Sequence, residues 1–127
     1  MPSESRHVSE HIDRSPEDVY AFASDPGNLP AWAAGLAAGD RVAFAPPNEF
    51  GVLDHVVTTA SGETVAVPMR VIPDGAGAEV VFTVRRLPGM TDADLDRDVG
   101  LVAADLATLK RVLESGAGDQ STGGSSG

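Results

Sequence analysis

The chain has 127 residues, a length that allows one folded domain with a single hydrophobic core. Its 19 acidic and 9 basic residues give a formal net charge of −10, which disfavours nucleic acid and anionic membrane surfaces as partners. The absence of cysteine excludes disulfides and thiolate metal sites, and no apolar run is long enough for membrane insertion or a signal peptide, so we expect a cytoplasmic protein.

The first predicted element is a strand over residues 4–13. Val8 and Ile12 alternate with polar residues, which is the period of two expected for a strand. Glu10 shares their face and is therefore a candidate for a buried position. His7 and His11 fall on the opposite face, which we interpret as solvated because their spacing does not build a metal site in a strand.

Two short helices are predicted next. Ser15 is suited to cap the first helix and Pro16 to occupy its first turn, while the carboxylate of Asp18 can complete a capping box. The turn DPG ends this helix. A second short helix is predicted to follow and to carry Leu29 and the only tryptophan of the chain, Trp32.

Four apolar segments follow, each closed by turn residues. Their short connections predict an antiparallel meander with one buried face. Pro68 interrupts the third segment and predicts an edge position or a bulge there. The segments span residues 40–45, 50–60, 63–72 and 78–87.

The last element is a long helix that Thr91 caps, with Asp94 three residues later. One apolar stripe runs along it and predicts packing on the sheet. The chain is therefore assigned to the α+β class, with a folded domain over residues 1–115 and a disordered Gly/Ser-rich tail over residues 116–127. The stripe consists of Leu95, Val99, Val102, Leu106, Leu109 and Leu113.

The order of these elements resembles the START-like superfamily, also called SRPBCC. The run HIDRSPEDVYAFASDPGNLPAW is similar to the opening of polyketide cyclase/dehydratase-type members, and DLATLKRVLE is similar to their final helix. The resemblance implies a helix-grip fold, in which a curved antiparallel sheet wraps around the C-terminal helix. Members usually have six strands after the two helices, so a count of four indicates a missing hairpin or a strand split at Pro46-Pro47 or at Pro68.

The resemblance also implies a cavity between sheet and helix for a small hydrophobic ligand, lipid-like or polyketide-like. The sequence has no phosphate loop, no Rossmann glycines and no metal-ligand cluster, so we expect no cofactor and no metal. Trp32 would line that cavity or plug the core below it. Glu10 and Arg86 would orient a polar group of the ligand, or form surface ion pairs instead. The candidate ligand-binding residues are Trp32, Phe44, Met69, Phe82, Val102, Glu10 and Arg86.

Two other functions stay open. An enzyme of the cyclase/dehydratase type would use His55 or Asp54 to move protons, but adjacent strand residues face opposite sides, so only one of them can line the cavity. The sequence does not decide which one, because both faces of residues 50–60 are apolar. Those two apolar faces would also suit a homodimeric interaction module with a filled core and no ligand.

Overall fold

A computed structural model describes residues 4–34 and 41–116. The tail from residue 117, the first three residues and the C-terminal part of the predicted second helix lie outside these ranges. Within them, no helix combines the length and the apolar character that a membrane crossing requires.

The described residues form an α+β fold, as the sequence predicts. A short 3-10 turn (Pro26–Asn28) separates the first two helices. The named elements in chain order are β1 (Ser5–Ile12), α1 (Pro16–Ala23), α2 (Leu29–Trp32), β2 (Arg41–Phe44), β3 (His55–Thr58), β4 (Thr64–Val67), β5 (Met69–Asp74), β6 (Gly77–Arg85) and α3 (Asp92–Glu114).

The strands form two antiparallel sheets, ordered β1-β6-β5 and β2-β3-β4, which meet at a corner. Only Pro68 separates β4 from β5, and the residues before β3 continue its pairing onto β5. There the Leu53 amide donates to the Met69 carbonyl (2.9 Å) and the Val71 amide to the Gly51 carbonyl (2.8 Å). Gly51 has a φ of +73°, and a Cβ at this position would lie 2.1 Å from the Val71 oxygen, so the close approach requires glycine.

The predicted split at Pro68 is therefore present, and four apolar segments give five strands after the helices. Proline has no N–H to donate to a neighbouring strand, and the chain turns from one sheet into the other at this point. The side chain of Asp54 stabilises the turn, because its Oδ1 accepts a hydrogen bond from the Met69 amide (2.8 Å). The same carboxylate forms an ion pair with Arg70.

Removing the Asp54 carboxylate is expected to weaken this corner. Asp54→Ala leaves the amide of the buried Met69 without its acceptor, which costs about 1–2 kcal/mol of unfolding free energy. Asp54→Asn keeps an oxygen for that amide and should lose clearly less. Urea denaturation of the three proteins measures the difference, and equal losses for both variants would contradict this role of the carboxylate.

The helix caps follow the sequence prediction at one helix and depart from it at the other. The Thr91 hydroxyl accepts from the Asp94 amide and the Asp94 carboxylate accepts from the Thr91 amide, both at 3.0 Å, so α3 has the predicted capping box. In α1 the Ser15 hydroxyl accepts from the Asp18 amide (3.1 Å). The Asp18 carboxylate accepts from Arg14 instead (2.9 Å), so the capping box predicted there is wrong.

The core lies where α3 packs on β1, β6 and α2. Four residues of the predicted stripe are fully buried. Val102, in the middle of the stripe, faces a less tightly filled region. That region lies between α3 and the β2-β3-β4 sheet, and it contains the candidate site. The four buried residues are Leu95, Leu106, Leu109 and Leu113.

Candidate functional site

An inner cavity lies between α3 and the β2-β3-β4 sheet, closed at one end by α2. Its volume is about 100 Å³, which is the liquid volume of about three water molecules. The walls are Leu29, Trp32, Ala33, Phe44, His55, Phe82, Val102, Asp105 and Leu106.

An outer groove of about 590 Å³ opens between β4 and β6, next to the inner cavity. It exists because β4 diverges from β6 beyond Pro68, so no strand fills the space between them. Phe82, Val102 and Asp105 line both the cavity and the groove and thus form the partition. The apolar walls of the groove include Val57, Val65, Val67, Val84, Leu87 and Leu101.

His55 is the polar group of β3 that faces the cavity, and only 4% of it is exposed. Its ring lies 5.3 Å from the ring of Phe44 and 5.9 Å from that of Phe82, centroid to centroid. Nδ1 lies 2.9 Å from the carbonyl oxygen of Leu53, and since a carbonyl can only accept, Nδ1 carries the proton. In the neutral ring Nε2 is therefore an acceptor, and it has no partner among the described residues.

Burial lowers the pKa of His55, because desolvation outweighs the hydrogen bond to Leu53 and the nearby charge of Asp54. The native state then binds fewer protons than the unfolded chain. The stability contributed by His55 is fully present above the unfolded pKa of about 6.5 and is lost as the pH falls from there toward the native pKa.

We expect the free energy of unfolding to fall between pH 7 and pH 5, and His55→Leu to reduce this slope. Asp105, the acidic group on the same cavity, has a raised pKa, so its contribution to the pH dependence of stability has the opposite sign. Comparing the pH slope of His55→Leu with that of the natural chain therefore isolates the contribution of His55. Denaturation curves at several pH values give the slope. An unchanged slope in His55→Leu, together with an ordinary pKa in a histidine NMR titration, would contradict the prediction.

Trp32 supplies the second polar group of the cavity, and 4% of this residue is exposed. Its indole Nε1–H is buried and has no acceptor among the described residues. An indole nitrogen can only donate, and a buried donor without a partner costs about 1–3 kcal/mol. Trp32 and His55 thus give the walls one neutral donor and one neutral acceptor.

Asp105 is the third polar group, and the sequence analysis missed it. It lies on α3 beside Leu106, at the edge of the apolar stripe, and an acidic residue at that edge was the available signal. Within the described residues it has no ion-pair or hydrogen-bond partner. Desolvation raises its pKa.

Because the pKa of Asp105 is raised, its ionised form costs stability at neutral pH. Asp105→Asn is expected to raise the free energy of unfolding at pH 7 by a fraction of a kcal/mol, and this gain should shrink as the pH approaches 3.8. Asp98→Asn, on the groove wall of the same helix, removes the same charge and is the control. Thermal melts at both pH values measure the effect, and an equal gain in both variants would contradict it.

The structure brings together Trp32, Phe44, Phe82 and Val102 from the predicted set. Arg86 lies elsewhere: its Nη2 forms ion pairs with Glu4 (2.9 Å) and Asp92, so it orients no group in the cavity.

Three other candidates also lie away from the cavity. Met69 is 1% exposed and belongs to the core. Glu10 lies close enough to Lys110 to help Glu114 raise the pKa of that amine, and it does not pair with Arg70 or Arg86. Asp54 stabilises the corner described above.

The rings of His7 and His11 form hydrogen bonds with Thr83 and Asp74 on the exposed face of β1, as the interpretation of this face as solvated predicts.

No protein-family model and no curated protein matches the sequence. Solved structures do match the fold. CalU16 from Micromonospora echinospora superposes with a TM-score of 0.67 at 13% identity over 87% of this chain and 74% of its own. An AHSA1-like protein from Rhizobium etli gives 0.63 at 19% identity, over 87% and 82%.

A third structure is DynU16, a protein of the dynemicin biosynthetic locus. It superposes with a TM-score of 0.66 at 15% identity over 91% of this chain. The chain spans about half the length of DynU16, 49% of it. At these identities the comparisons concern the fold.

Proposed function

We propose that this chain, which has the helix-grip fold of the START-like superfamily, binds a small apolar molecule in the inner cavity. The outer groove extends the site for ligands that are larger than the inner cavity of about 100 Å³. Molecules of the size of naphthalene are among them, because a cavity of about 150 Å³ accommodates benzene alone. The observation that carries the proposal is the buried indole N–H of Trp32, which has no acceptor among the described residues, while Nε2 of His55, on the same cavity wall, is available as an acceptor. An apolar ligand with one polar group would accept from the indole and remove the cost of leaving that donor unpaired.

The walls support this proposal through their composition. Aromatic and aliphatic side chains surround the two polar groups, which is the usual composition of a small-molecule site. Phe44 and Phe82 flank His55 with their rings, so a planar apolar ligand would find aromatic surfaces beside the polar contact. DynU16, with the same fold, comes from a biosynthetic locus, a setting that agrees with a small organic ligand.

An NMR titration of the full-length, isotope-labelled chain with naphthalene tests the proposal. The expected result is a saturable shift of the single indole N–H resonance, that of Trp32, and of the methyl groups of Val102 and Leu106. Absence of any saturable shift up to the solubility of naphthalene would contradict binding in the cavity. Native mass spectrometry of the freshly purified chain, compared with the denatured chain, would give the mass of a co-purified ligand.

A proton-transfer enzyme is the second candidate function, and His55 favours it. The neutral Nε2 can take a proton from the carbon beside a ligand carbonyl; the electron pair then moves to the oxygen, and the proton returns from Nε2. Asp54 has no part in this scheme, since it is held at the corner. Deuterium incorporation into 2-tetralone in D₂O tests the step, and an equal rate with His55→Gln would exclude it.

The homodimeric interaction module required a filled core without a ligand. The cavity of about 100 Å³ and the adjoining groove argue against that premise. Dimerisation itself stays a prediction, which the mass measurement above also tests.

A further inference from the structure

We propose that the ligand is a neutral alcohol or phenol whose hydroxyl group accepts a hydrogen bond from Trp32 and donates one to His55. This inference rests on the proposed function and specifies the chemical class of its ligand. It follows from matching the donors and acceptors of the cavity walls with those of common organic groups.

The donor side is fixed by Trp32. Its Nε1–H is buried without an acceptor in residues 4–34 and 41–116, and the indole has no second polar atom with which to accept. The ligand must therefore carry an acceptor. Ketones, ethers, carboxylates and hydroxyl groups all satisfy this first condition.

Two acceptors lie on the cavity wall, the carboxylate of Asp105 and the ring of His55, and the tautomer of His55 decides the role of its ring. The carbonyl of Leu53 holds the proton on Nδ1 (2.9 Å), so Nε2 presents a lone pair. The ligand must therefore also carry a donor. Ketones, ethers and carboxylates fail this second condition, whereas a hydroxyl group meets both because it donates once and accepts with its lone pairs.

The charges around the cavity exclude an ionised acid on separate grounds. Asp105 lies on the wall, and the described residues that line the inner cavity include no lysine or arginine. Arg85 lies on the outer groove instead, together with Asp98. A carboxylate in the cavity would lose its water and meet a like charge, at a cost that a neutral hydroxyl group avoids.

Four probes with one carbon skeleton test the proposal on the full-length chain by calorimetry at pH 7. They are 2-naphthol, which donates and accepts, 2-methoxynaphthalene, which only accepts, naphthalene, which does neither, and 2-naphthoate, which is an anion. We expect 2-naphthol to bind about tenfold more tightly than 2-methoxynaphthalene and about a hundredfold more tightly than naphthalene, since one hydrogen bond of this kind is worth about 1.4 kcal/mol. We expect 2-naphthoate to bind most weakly.

Two variants assign the preference to its residues. Trp32→Phe keeps an aromatic ring and removes the donor, while His55→Leu removes the acceptor; each should reduce the preference of 2-naphthol over naphthalene about tenfold. If His55→Leu does not fold, the ¹⁵N shifts of His55 in the natural chain replace it. They should report a proton on Nδ1 and a change at Nε2 when 2-naphthol is added.

The outcomes separate the two proposals. Equal affinities for 2-naphthol and naphthalene, or tightest binding of 2-naphthoate, would overturn the ligand class and leave binding of apolar molecules intact. A proton found on Nε2 instead of Nδ1 would overturn it as well. Failure of all four probes to bind would overturn the proposed function together with this inference.

Discussion

Val102→Phe is expected to weaken the binding of naphthalene at least tenfold while leaving the chain folded. Val102 lies on the partition between the inner cavity and the outer groove, and a phenyl ring there would occupy space that holds only about three water molecules. The same ring gains packing contacts with the walls, so a large loss of stability is not expected.

Calorimetry gives the affinity of the variant, and urea denaturation shows that it remains folded. Ala104→Phe places the same ring on an exposed position of α3 and should bind naphthalene like the natural chain. Undiminished affinity in Val102→Phe would place the ligand elsewhere on the molecule.

Leu109→Ala is expected to lower the free energy of unfolding by about 3–4 kcal/mol, within the range for buried leucines. Leu109 is 0% exposed and belongs to the core, where the helix packs against the sheet. Truncation leaves a cavity that a rigid strand surface cannot close.

Leu101→Ala is the matched control, because Leu101 lies on the same helix but is 59% exposed. Its effect should stay within about 0.5 kcal/mol. Urea denaturation measures both variants. Similar losses at the two positions would contradict the orientation of α3 on the sheet.

The sequence was sufficient to predict α3 because two independent signals agree on it. The apolar stripe fixes the buried face, and Thr91 with Asp94 fixes the first turn. Pro68 likewise predicts the interruption of its strand from a single physical fact, the missing N–H. Local chemistry decides each of these features.

The face that His55 presents could not be predicted, because its orientation depends on partners that are distant in the sequence. Val52 and Val56 are as apolar as Leu53 and Val57, so the alternation gives no preferred side. The structure resolves the ambiguity through the corner: residues 51–53 pair with β5, while 55–58 pair with β2 and β4. That change of partner also makes β3 shorter than the predicted segment.

The polar side chains of the candidate site were the hardest part to predict. For Arg86 the sequence left open a contact with the ligand or surface ion pairs. The structure shows ion pairs with Glu4 and Asp92, and only the fold brings Glu4 there. Asp105 was missed because one acidic residue beside an apolar stripe is common on helix surfaces. The unpaired indole N–H of Trp32 is a property of its surroundings rather than of the residue type.

The opening between β4 and β6 has a consequence for the kinetics of ligand exchange. The groove gives an open approach to the partition, and Phe82 is a single side chain within it. Passage of a ligand through the partition would need a rotamer change of the Phe82 ring. This motion is far faster than the separation of a helix from a sheet. Association would then be similar for related ligands, and their affinities would differ chiefly in how long each stays bound.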